Sequence, residues 1–214
     1  MHETARMWIR VGGIFGVVSV MGFLAVMLAK LPDAVRMWVF FSIPICGILF
    51  VAGLGSLMRL HRARVLTDIA TLLGIIGLSI MSLMAVVQYV IDISMSQGAP
   101  AGKDKATKDM VDWVMRSVNS VQLGMGKSFD VFFLVSIFLF GVSMFSHPRF
   151  GRAFGLATCL AASTELILNI YAFPLPPKPD LEVFVALWLL IVAVRMLLSE
   201  QYVEQVQARD ATVS

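Results

Sequence analysis

Glu165 and Asn169 lie four residues apart inside the apolar run 153–173, so on a helix they share one face. An ionisable group in a membrane-spanning helix is costly and usually faces a bundle interior or a water-filled cavity. That chemistry suits a ligand, proton or cation site. Thr158, Ala161 and Ala162 continue the same face as a strip of small residues suited to close helix contact. A protonated or hydrogen-bonded structural carboxylate is the plainer account, and spacing alone does not separate the two.

Neighbouring runs supply further polar groups near one end. Gln88 and Asp92 follow Gly74, Gly77, Met81 and Ala85 at three- and four-residue intervals, so one face of a third helix passes from small residues into polar ones. Lys127 and Asp130 open a fourth helix, and Lys127 is a candidate counter-ion for Asp130, Asp92 or Glu165. Together these six residues, Glu165, Asn169, Gln88, Asp92, Lys127 and Asp130, are the expected ligand-binding set. Solvation at helix ends accounts for Asp92 and Asp130 taken singly, but not for Glu165.

Other chemistries find little support. Only three histidines occur, His2, His61 and His147, all in a tail or turns, so neither a metal site nor a haem is expected. Cys46 and Cys159 fall inside apolar runs, where a thiol behaves as a small hydrophobe. No phosphate-binding glycine loop or Ser-His-Asp order appears. No catalytic residue and no cofactor are therefore expected, and a lipid-directed enzyme would need Asp92, Asp130 and Lys127 to converge on Glu165.

These side chains must be positioned by membrane helices. The 214 residues are 58% apolar and 14% charged, with a mean hydropathy of +0.85, whereas a soluble domain carries about a quarter charged residues. Lipid tolerates the excess apolar surface. A spanning helix needs roughly 20 apolar residues, which 11–29, 37–58 and 69–91 satisfy directly. The run 131–146 reaches that length if Lys127 snorkels. The runs 153–173 and 181–198 each hold one charge, Glu165 and Arg195. The reading is an all-α, polytopic six-transmembrane-helix bundle in a single membrane domain, with helices near 8–30, 37–59, 67–93, 127–146, 152–173 and 181–199.

Between the third and fourth helices, 94–126 reads as an outer loop with an amphipathic segment. Met110, Val114, Val118, Val121 and Met125 recur at helical spacing. This segment either lies on the membrane surface or extends helix four, with Gly124 and Gly126 marking a bend. Smaller features have structural readings. Arg195 snorkels toward phosphates, Thr67 caps the start of helix three beside Asp68, and Pro44 frees a carbonyl of helix two toward a cavity. Gly12 with Gly16, and Gly151 with Gly155, have the spacing for close helix packing.

Short loops rich in Arg and Lys remain in the cytoplasm. Arg59, Arg62, Arg64, Arg149 and Arg152 on one side outnumber Lys30, Arg36 and Lys178 on the other, so both termini are expected inside. The bases flank apolar runs and form no continuous basic face, which argues for lipid as a partner and against nucleic acid. The stretches His147-Pro148-Arg149-Phe150-Gly151-Arg152 and Leu168-Asn169-Ile170-Tyr171-Ala172-Phe173-Pro174 resemble small uncharacterised bacterial six-helix membrane proteins. The resemblance covers mainly the last three helices and implies a bacterial inner membrane, with no site residue to carry over. The functional expectation is binding, with transport as one consequence, of a small molecule or ion in an outward-opening pocket around Glu165. The alternative is a noncatalytic sensory or structural subunit that meets a membrane protein partner or a second copy of itself.

Overall fold

The computed structural model describes residues 2–60, 64–98, 105–172 and 182–199. Within them the chain forms six helices: α1 (His2–Leu28), α2 (Asp33–Arg59), α3 (Arg64–Gly98), α4 (Lys105–Met144), α5 (Gly151–Ala172) and α6 (Glu182–Leu197). Helix is the local solution in lipid because it satisfies each backbone polar group within its own segment. Five of the six, α1 to α5, are long and apolar enough to cross a membrane. The described part of α6 has 16 residues, about 24 Å at 1.5 Å per residue.

Each helix packs antiparallel on its neighbour in sequence from α1 to α5, and α6 returns to pack on α1. The result is a ring. Its tightest contact is between α1 and α2, where a Cβ on Gly12 would lie 2.6 Å from the Cα of Gly53. Gly16 meets Phe50 and Ala193, so the expected small-residue face of α1 serves two partners. The pair on α5 divides differently. Gly155 packs on Gly141 of α4, whereas Gly151 has open space around it and a φ of 76°, a turn conformation that glycine adopts without a Cβ penalty.

Hydroxyls stitch the seams. Ser136 donates to the carbonyl of Ala70 at 2.6 Å, and Thr67 donates to Ser143 at 3.4 Å, joining α3 to α4. Thr67 is fully buried a turn inside α3, which corrects the capping expectation: the helix begins earlier, at Arg64. Asp68 pairs with Arg59 across the α2–α3 turn. The seam between α5 and α6 is the loosest, its backbones held apart by side chains. There Trp188 stacks on Phe154 at 4.3 Å between ring centroids and donates to Thr158 at 2.9 Å. At the α4–α5 turn the Arg195 guanidinium lies 4.6 Å over the Phe154 ring and donates to the carbonyl of Arg149 at 3.1 Å.

The segment expected as an outer loop is largely helical. α3 runs on to Gly98 and α4 starts at Lys105, passing through Gly124 and Gly126 without leaving the helix. The amphipathic face is thus part of a 40-residue helix, about 60 Å long against a hydrocarbon core of about 30 Å. Met110, Trp113 and Val121 are exposed along it. The stretches 61–63, 99–104 and 173–181, the last of which carries Lys178, lie outside the described residues.

Candidate functional site

Arg59 at the end of α2, Arg149 just before α5 and Arg195 near the end of α6 gather at one end of the ring, while Arg36 in the first turn of α2 lies at the other. Toward that end the bundle is filled. Leu54, Leu57, Met58, Phe140, Met144, Val192 and Met196 are buried and form one continuous core. Toward the other end the packing opens into a central cavity of about 140 Å³ to which all six helices contribute. Its wall is mainly apolar, with Phe23, Phe50, Phe129 and Phe133 supplying ring surface.

Glu165 enters this cavity from α5, roughly 10 Å from the helix's far end. Only 2% of Glu165 and 3% of Asn169 is exposed, although both carry polar side chains. They are held in a chain of hydrogen bonds. The Lys127 ammonium donates to Asn169 Oδ1 at 2.7 Å, and Asn169 Nδ2 donates to Glu165 Oε1 at 3.0 Å. Lysine has only donors, so the asparagine must turn its oxygen toward Lys127 and its NH₂ toward Glu165. The same NH₂ lies 3.2 Å from the carbonyl of Glu165, one helical turn back. Lys127 also pairs with Asp130 at 3.6 Å, three residues further along α4. A cation on α4 is therefore linked through one amide to a carboxylate on α5.

Asp130 and Asn169 each face two spaces. Both line the central cavity, and both line a crevice of about 250 Å³ between α4 and α5 together with Lys127, Val131, Leu166 and Ile170. Val131 and Ile170 are exposed on the outer surface of the helices. The polar chain thus forms the partition between the central cavity and the bundle's flank.

Four of the six expected residues converge: Glu165, Asn169, Lys127 and Asp130. Gln88 does not join them. It lines a separate pocket of about 520 Å³ formed by α1, α2 and α3, beside Asp33, Arg36 and Tyr89, because the face of α3 that bears Met81 toward the cavity carries Ala85 and Gln88 past its rim. Asp92 lies on α3, and its side chain is outside the described residues. No family model, curated protein or solved structure matches this chain.

Two residues escaped the sequence reading. Glu182, the first residue of α6, lines the cavity. Its carboxylate at a helix N-terminus was a legible signal, since negative charge is favoured there. Ser19 also lines the cavity, and it donates to the carbonyl of Ile43 at 2.9 Å, next to Pro44. The carbonyl that Pro44 leaves without a helical donor is that of Phe40, four residues back, so Ser19 engages a different carbonyl beside the proline. Among the described residues no group of three His, Cys, Asp or Glu is placed to hold a metal ion.

Proposed function

We propose that this chain is a six-crossing protein of a bacterial inner membrane that binds a small molecule or ion in its central cavity. In this reading α6 completes the crossings, the arginine-rich end and both termini face the cytoplasm, and the cavity opens on the opposite side. The observation that carries the reading is the cavity itself, walled by all six helices, with a buried carboxylate and amide at its side. A bundle needing only stability would fill that space, since voids cost packing energy. The packed core toward the arginine-rich end supports binding from one side over an open channel. Transport would follow if that core opened alternately.

Filling the cavity tests this reading. Ala186 and Val185 of α6 line it, so Ala186→Leu and Val185→Phe should each weaken the uptake of a one-ring probe about tenfold or more. Titration calorimetry on the full chain in detergent, with toluene and N-methylpyridinium as probes, measures the effect. Failure of both probes to bind the unmodified chain, or binding unchanged in both folded variants, would reject the site.

The long α3–α4 arm favours a second reading, a sensory or structural subunit. Met110 and Trp113 are exposed on it well beyond the length a bilayer requires. A photocrosslinker placed at Trp113 should then capture one specific membrane protein or a second copy of the chain. Recovery of lipid adducts alone would oppose that role.

A further inference from the structure

Size, wall and charge together narrow the occupant of the central cavity. An apolar protein cavity of about 150 Å³ takes up benzene, so a space of about 140 Å³ suits a body of one small ring. Four phenylalanines in the wall present aromatic faces, whose negative quadrupole attracts cations. Among the described residues, the charged side chains lining the cavity are Asp130, Glu165 and Glu182, all carboxylates. Lys127 lies in the crevice behind Asn169 and Asp130, where its ammonium is engaged by both.

An anion would meet like charge in such a site. A sugar or another many-hydroxyl solute would lose hydration against a mostly apolar wall without enough partners to replace it. An apolar body bearing one positive charge fits all three features. We propose that the cavity takes a ring-sized organic monocation whose charge lies against Glu165, in competition with a proton on the Glu165-Asn169-Lys127-Asp130 chain. This rests on the reading of the cavity as a binding site.

The competition follows from charge balance in a low-dielectric space. A proton on the Glu165 carboxyl and a ligand cation beside its carboxylate are alternative ways to neutralise one charge. Entry of the cation breaks the carboxyl O–H bond and sends that proton to water. The titratable and charged groups facing Glu165 from the surrounding helices are Lys127 and Asp130 of α4 and Glu182 of α6. The lining side chains of α1, α2 and α3 are Ser19 and apolar groups. Lowering the pH should therefore weaken the cation and leave a neutral ligand of the same shape unaffected.

The test compares N-methylpyridinium, a permanent monocation, with toluene, its neutral counterpart of equal size, by calorimetry on the full chain between pH 5 and 9. Heat from partition into detergent is subtracted with protein-free micelles. N-methylpyridinium should bind at least about tenfold tighter than toluene at high pH. Its affinity should fall by up to about tenfold per pH unit as the chain takes up a proton, with up to one proton released per cation in paired buffers of different ionisation heat. Glu165→Gln should abolish both the pH dependence and the proton release while tryptophan fluorescence reports a melt that is at most mildly shifted. Equal or tighter binding of toluene would overturn the proposal and leave the binding site standing. Cation binding without pH dependence or proton release would overturn the competition. Failure of both probes would remove the site itself.

Discussion

Gly53→Val should prevent α1 and α2 from closing, with a loss of about 3 kcal/mol or more in reversible unfolding from mixed micelles. A Cβ at Gly53 would stand 2.6 Å from the Cα of Gly12 and 2.6 Å from the carbonyl oxygen of Trp8. Both obstacles are backbone, so no rotamer change relieves them. Overpacking a close-packed interior ordinarily costs about 1–3 kcal/mol, and here the clash falls where two helices approach closest. Separation would also forfeit the close packing that drives helix association in lipid, where no hydrophobic force substitutes for it. Gly124→Ala is the matched control. It has nothing within 4 Å, and alanine is a better helix former by about 1 kcal/mol, so that variant should melt at or above the unmodified chain. A folded, unshifted Gly53→Val protein would mean that the α1–α2 contact does not hold the bundle.

The contrast between these glycines marks the limit of what the chain reveals before it is folded. Gly12 announced itself through its small-residue partner Gly16 four positions on, but Gly53, which completes the contact, has Leu49 and Leu57 four positions to either side and so no such partner of its own. Hydropathy located the helices, because membrane length is a property of one segment at a time. It left two courses open for the long arm, because a helix leaving the membrane loses the apolar signal by which it was recognised; 105–126 gathers its charges on one face between Lys105 and Arg116 and continues α4. Glu165 and Asn169 were legible through their four-residue spacing. Lys127 and Asp130 were legible as polar groups near a helix start, yet their meeting with Asn169 depends on the rotation of α4 about its axis, which no single helix encodes. Gln88 shows the converse. It shares a stripe with Met81, but the stripe outruns the cavity, so the same face serves two different pockets.

Asn169→Leu should be the most damaging substitution within the site, and it separates the roles of charge and of linkage. The leucine is close in volume but can neither accept from Lys127 nor donate to Glu165. A buried polar group deprived of its partner costs about 1–3 kcal/mol, while interhelical hydrogen bonds in membranes average only about 0.6 kcal/mol because the unfolded chain finds substitutes. Two bonds are lost together here, one of them charge-assisted, so a decrease of about 2 kcal/mol is expected in the same micelle assay. Lys127→Met in the Asn169→Leu background should cost less than it does alone, since the ammonium no longer has that amide to lose. The shortfall, measured as a double-mutant cycle, is the coupling across the α4–α5 partition. Glu165→Gln retains an oxygen that can accept from Asn169 and should therefore be mild in stability, even though it removes the charge on which cation binding depends. Additive losses in the Lys127–Asn169 cycle would mean that the chain of hydrogen bonds does not act as a unit. Coupled losses, with a mild Glu165→Gln, would identify Asn169 as the residue that ties the lysine on α4 to the carboxylate beside the cavity.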